Sequence, residues 1–189
     1  MGTVATNEFR KRLRIMIDGE PYVIVDNEFV KPGKGQAFNR VKIKNLLTGK
    51  VIDRTYKSGT TVEEADMTFK SMQYLFNDGS LWTFMDPKTY DQIEVSKDVM
   101  EGVGQWLLDN TDCELAFWES KPISVTPPIF MNLEVTYTEP AVKGNTSTNV
   151  MKDATLETGA QVKVPLFIDQ GMKVKIDTRT GEYVERAKE

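Results

Sequence analysis

Histidine is missing from all 189 residues. That removes Ser/His and Cys/His catalysis and nearly every zinc site. Chemistry would have to rest on carboxylates, and no Asp/Glu pair stands at an informative spacing. The chain is therefore not expected to be an enzyme, and neither a metal nor a cofactor is expected. A single cysteine, Cys113, excludes an internal disulfide and fits a reducing cytoplasm. It stands among Leu115, Phe117 and Trp118, which reads as a small buried side chain. No apolar run is long enough to span a bilayer. Residues Met1 to Arg14 hold no apolar stretch before their basic residues, which argues against a secretory signal. The expectation is a cytoplasmic protein with no membrane contact.

What is there begins with an uneven charge. The net charge is -4. Residues 1–64 carry 12 Lys+Arg against 8 Asp+Glu, residues 65–128 carry 4 against 11, and residues 129–189 carry 8 against 9. Contact with a polyanion is expected from the basic first third.

The patterning is that of short strands. Leu13, Ile15 and Ile17 alternate with polar neighbours, and Tyr22 to Val25 is extended. Val41 and Ile43 alternate with Arg40, Lys42 and Lys44, which sets three cations on one strand face. In the middle third, Met72, Tyr74 and Phe76 alternate, Asn77-Asp78-Gly79 turns the chain, and Leu81 to Met85 pairs back. Ser96 offers a helix cap, with Val99, Val103, Trp106 and Leu107 at helical spacing, though Gly102 and Gly104 weaken that helix. Cys113 to Trp118 is a strand, and Pro122, Pro127 and Pro128 mark a connector. In the last third Leu133, Val135 and Tyr137 alternate, then Val162, Val164, Leu166 and Ile168, with Pro165 pointing to an edge. Val174 and Ile176 lead to a turn at Asp177–Gly181. Strands this short and evenly spaced predict a mainly β chain of three consecutive small β-barrels, over 1–64, 65–128 and 129–189. The middle one has the five-strand plan of an oligonucleotide-binding barrel with one helix.

The chain is organised around Lys31-Pro32-Gly33-Lys34-Gly35-Gln36-Ala37-Phe38. Pro32 fixes its own φ and biases Lys31 towards an extended conformation. Gly33 and Gly35 allow a tight reversal. Lys34 then lies at a hairpin tip with its ammonium pointing outward. The run is not a phosphate-binding loop, which needs Gly-x-x-x-x-Gly-Lys followed by Ser or Thr.

These residues resemble those of the bacterial elongation factor P family along the whole chain. The motifs are Glu28-Phe29-Val30-Lys31-Pro32-Gly33-Lys34-Gly35-Gln36-Ala37-Phe38, then Pro122-Ile123-Ser124-Val125-Thr126-Pro127-Pro128. A third follows: Pro140-Ala141-Val142-Lys143-Gly144-Asn145-Thr146, with Ala154–Gly159 and Val162–Ile168 after it. The resemblance implies a KOW/SH3-like barrel followed by two OB-fold barrels, in an L-shaped, tRNA-like outline. It implies a monomer that binds the ribosome beside the peptidyl-tRNA, touches tRNA and rRNA, and relieves stalling at consecutive prolines. Lys34 matches the position that family members extend after translation, here by a β-lysyl group from a lysyl-tRNA-synthetase-like ligase. Lys31, Pro32, Gly33, Gly35, Arg40, Lys42 and Lys44 would join it in tRNA and ribosome contact. Gly144-Asn145-Thr146 matches a loop that meets messenger RNA. A single-stranded RNA-binding barrel array acting off the ribosome is the alternative.

Overall fold

The computed structural model describes residues 2–140 and 150–187. The chain divides into two compact units, residues 1–69 with 116–124, and residues 70–115 with 125–189. Among the described residues no helix is long and apolar enough to cross a membrane.

The N-terminal sheets hold β1 (Thr3–Ala5), β2 (Arg14–Ile17), β3 (Glu20–Val30), β4 (Phe38–Asn45), β5 (Val51–Lys57) and β6 (Thr61–Glu63). Strands β2-β3-β4-β5 form one antiparallel sheet, and β1 pairs with β6. An Ile15–Glu64 bridge and the bond from Ala65 N to Arg14 O join the second sheet to β2. The bond from Thr6 N to Thr60 O ties its far end. The sheet thus curls around a core of Val4, Phe9, Leu13, Ile15, Ile17, Ile24, Val41 and Ile43. The alternation on β4 sets this core: Val41 and Ile43 are buried, while Arg40, Lys42 and Lys44 are exposed. Strand β3 runs on to Val30, well past the Val25 limit expected from alternation, because pairing with β4 continues to the hairpin loop.

The next sheet has the order β11-β10-β7-β8-β9, from β7 (Met67–Asn77), β8 (Leu81–Met85), β9 (Gln92–Ser96), β10 (Asp112–Trp118) and β11 (Lys121–Thr126). The expected helix is a single turn, α1 (Lys97–Met100). Ser96 stands at its N-cap without a side-chain cap bond. Gly102 adopts φ +75°, which ends the helix, and residues 104–106 form only a 3-10 turn. A Cβ on Gly104 would come 3.0 Å from the Trp82 indole nitrogen, so glycine lets this turn lie against that ring. Pro122 is not in a connector. It lies in β11, an edge strand, where its missing N–H costs the ladder least.

The C-terminal sheet runs β14-β13-β12-β15-β16, from β12 (Phe130–Thr138), β13 (Met151–Leu156), β14 (Gln161–Pro165), β15 (Lys173–Asp177) and β16 (Glu182–Arg186). Its edge strands β14 and β16 approach each other, which closes the barrel. Leu133, Val135, Leu156, Val162, Val164, Ile168, Val174 and Ile176 fill it, and Trp106 enters the same core. Strand β14 stops at Pro165, so Leu166 and Ile168 lie beyond it.

Two alternations break where expected to continue. Register shifts fall between Tyr74 and Phe76 on β7, and between Val135 and Tyr137 on β12. A bulge inserts a residue and flips the phase of everything after it. Phe76 and Tyr137 are accordingly exposed.

Candidate functional site

The β3–β4 ladder ends at the Val30–Phe38 pair, leaving residues 31–37 as its loop with Lys34 at the centre. Lys31, Gly33, Lys34, Gly35 and Gln36 are exposed, and Pro32 is partly so. Lys34 has no ion pair or hydrogen bond among the described residues. Only Gly35 takes a positive φ, at +112°, and a Cβ there would meet Pro32 Cγ at 3.8 Å. Gly33 has an ordinary φ and open space around it, so the turn needs one glycine, not two.

The loop is held from its C-terminal side. Ser58 N donates to Ala37 O at 2.9 Å, and Gln36 Nε2 reaches Ser58 O at 3.4 Å. Residues 31–35 have no such tie among the described residues. Further down, both arms of the hairpin are pinned to the segment Thr6–Phe9. Asn27 on β3 donates to Phe9 O at 2.8 Å, and Asn39 on β4 donates to Thr6 O at 3.1 Å. Thr6 Oγ1 accepts from Gly59 N at 3.1 Å. Thr6 and Asn39 are 1% and 2% exposed, so the bond between them is sheltered from water, while the other two are half-buried. Asn27, Asn39 and Thr6 were missed by the sequence reading. Asn39 did leave a signal, since it holds an inward-facing position on β4 in phase with Val41 and Ile43.

The cation row is where expected but is not purely cationic. The register sets Arg40 opposite Glu28, and Lys42 between Asp26 and Asp53. Arg40 and Glu28 pair at 3.7 Å, while Lys11 holds Asp26 at 2.9 Å. That hydrogen bond from Lys11, with its charge, keeps the Asp26 carboxyl below its ordinary range. These exposed pairs add little stability, but they dilute the positive field of the strand face. Lys44 faces Val23 and Val51 across the ladder. Within the β3–β4 hairpin the uncompensated cations are therefore Lys31, Lys34 and Lys44. Gly144, Asn145 and Thr146 lie outside the described residues. Cys113 is buried, and burial pushes its thiol up to about 12, so it stays protonated.

Comparison with known proteins bears on the family. The model of the elongation factor P KOW-like domain matches residues 5–62. The elongation factor P OB domain matches 67–125, and the elongation factor P C-terminal domain matches 131–186. A solved structure of translation initiation factor 5A from Methanococcus jannaschii superposes with a TM-score of 0.55 at 26% identity, over 66% of this chain and 95% of that one. A translation initiation factor 5A family protein from Naegleria fowleri gives 0.51 at 13% identity, over 66% and 97%, a likeness of fold. Three matched segments follow one another through the chain's sheets in a fixed order, and on that ground the chain belongs to the elongation factor P family of translation factors.

Proposed function

We propose that this chain binds the ribosome beside the peptidyl-tRNA and stimulates peptide-bond formation at consecutive prolines, through a Lys34 extended after translation. The observation that carries this reading is an amine at the centre of a loop whose base is pinned and whose tip is not. A pinned base fixes where the arm starts, and a free tip lets it enter a narrow channel. A β-lysyl extension, attached by a lysyl-tRNA-synthetase-like ligase, would roughly double the arm, from bond lengths near ~1.5 Å. It turns the lysine ammonium into an amide and sets two amines further out. Such an arm fits along the CCA end of a tRNA, where it meets phosphates and 2′-hydroxyls.

Proline is a constrained and poor nucleophile. Holding the peptidyl-tRNA in a reactive pose lowers the entropic part of the barrier. The ribosome does the chemistry and this chain positions. Lys31 and Lys44 supply sequence-independent phosphate contact beside the arm, with Arg40 and Lys42 contributing less because of their carboxylate neighbours. The loop Gly144-Asn145-Thr146 is assigned to messenger RNA by resemblance to the family. The working unit is a monomer with domains 1–64, 65–128 and 129–189, acting in the cytoplasm.

The test compares wild type, Lys34→Ala and Lys34→Arg in translation of a reporter with a run of prolines. Lys34→Arg keeps a cation but offers no lysine amine for acylation. Both variants are expected to lose rescue while melting as wild type, since the site is exposed. Full rescue by Lys34→Ala removes Lys34 from the mechanism. Intact mass of the native protein, with the site mapped by fragmentation, gives the identity of the added group.

A further inference from the structure

A second basic site lies in the first barrel, outside the 31–37 loop. Arg10, Lys11, Arg12 and Arg14 line a groove of about 570 Å3, together with Glu64, Asp66 and Phe69. No residue of the Lys34 loop lines it. Lys11 is engaged with Asp26, but Arg10 and Arg12 are exposed and have no ion pair among the described residues. Arg14 stands 4.6 Å over the ring of Phe69, itself 42% exposed, and its side chain makes no hydrogen bond or ion pair among the described residues, so its donors are open.

The backbone fixes this cluster in advance. Leu13 N donates to Arg10 O at 3.2 Å, Arg12 N to Ile24 O at 2.8 Å, and Ala65 N to Arg14 O at 3.0 Å. Arg12 takes φ +71°, a left-handed conformation that favours Gly or Asn. A long cationic side chain at that position is an unfavourable choice for the fold, which points to a use for the charge.

We infer that this groove binds the phosphodiester backbone of an RNA, as a contact separate from the Lys34 arm. The inference rests on the reading that the chain meets RNA, and it adds a place. Two carboxylates, Glu64 and Asp66, line the groove with the cations. The side chains of an acidic peptide only accept, so apart from backbone N–H groups it brings those carboxylates no donor and adds like charge beside them. RNA offers phosphates to the arginines and 2′-hydroxyl donors to the carboxylates, which matches both sets. Planar guanidiniums suit phosphate forks better than point charges do.

The test uses the full chain and fluorescein-labelled unmodified tRNA, with anisotropy read across a salt series. The variant is Arg10→Gln with Arg12→Gly. Glycine accepts the positive φ, so the turn is kept while its charge goes. The slope of log affinity against log salt is expected to become shallower by about 1.4 to 1.8, at roughly 0.7 to 0.9 per lost phosphate contact. A second variant, Glu64→Met with Asp66→Leu, which removes the acceptor oxygens as well as the charge, is tested against one hairpin made as RNA and as DNA. Loss of preference for the RNA supports the ribose contact. An unchanged salt slope in the first variant, or an equal gain for RNA and DNA in the second, overturns the inference. Rescue by Lys34→Ala is read separately. A lost rescue with an unchanged slope defeats the groove alone, and a kept rescue with a shallower slope defeats the arm alone.

Discussion

The β15–β16 and β3–β4 hairpin loops each carry a cation, and they treat it in opposite ways. In the β15–β16 loop, Arg179 is captured by the residue two before it. Asp177 accepts from Arg179 N at 2.9 Å, from Nε at 3.0 Å and from Nη2 at 2.6 Å. Thr178 Oγ1 donates to Pro128 O at 2.7 Å, and Gly181 lies against Trp106. In the β3–β4 loop the residue two before Lys34 is Pro32, which has neither a carboxylate nor an N–H. One loop uses its cation to close itself and the other presents its cation. The loops differ in length and in the cation itself, and also in the side chain two residues before it, a carboxylate in one and a proline in the other, so presentation depends on the loop's chemistry and not on exposure alone.

The largest expected effect comes from removing what the closed loop leans on. Trp106 is 4% exposed, and it fills the C-terminal core beneath Gly181. Trp106→Ala is expected to destabilise the chain by about 3–5 kcal/mol in urea unfolding. Trp106→Phe should cost far less, because the indole N–H is buried without a partner and phenylalanine lacks it. Equal losses in the two variants would mean that volume is not what Trp106 supplies. Next comes the open loop's one constrained position. Gly35→Ala places a Cβ at φ +112° and is expected to cost about 1–3 kcal/mol, while Gly33→Ala should be close to neutral. Identical melts for the two would refute the single-glycine turn.

The closed loop also has a pH signature. The Arg179 side-chain bond holds the Asp177 carboxyl at about 2, below its ordinary 3.8. A depressed carboxylate contributes stability above its unfolded value and loses it as pH falls through its folded value. The window is therefore about pH 4 down to 2. Melting temperature followed from pH 5 to 2 should fall less steeply in Arg179→Gln than in wild type. Parallel curves would mean that the pair contributes nothing to acid sensitivity.

How much of this was legible before the structure differs by kind. Inward-outward alternation located most strands, because one face of each is buried and the pattern is forced. Proline and glycine chemistry located the loop around Lys34, but not its reach, since β3 runs to Val30 and β4 starts at Phe38. What failed depended on partners distant in sequence. The helix after Ser96 ran out at Gly102, and Val103 and Trp106 owe their apolar character to packing other than along a helix. Phe76 and Tyr137 look inward by period but follow bulges, which no local residue announces. The row Arg40, Lys42, Lys44 was correct as geometry, yet its compensation by Glu28, Asp26 and Asp53 appears only once the registers are known. The hairpin pins Asn27 and Asn39 reach back to Phe9 and Thr6, a separation of 18 and 33 residues that local reading does not span.

The sharpest use of the comparison is to convert one loop into the other. Pro32→Asp would set a carboxylate two residues before Lys34, the spacing at which Asp177 holds Arg179. Once extended, Lys34 is an amide and its charge sits on the two outer amines, which are compact and further from position 32, so the new pair should be looser than the natural one. The site is solvent-exposed, and exposed pairs of this kind contribute about 0.2–1 kcal/mol. That corresponds to roughly 1.4- to 5-fold less of the presented amine. Rescue of the proline reporter should fall by no more than that factor, and added salt should restore part of it. Pro32→Ala separates the loss of proline from the gain of charge, and it should leave salt dependence unchanged. If Pro32→Asp and Pro32→Ala behave alike, capture by a neighbour is not what distinguishes the two loops, and the stiffness that proline imposes on Lys31 takes its place as the cause.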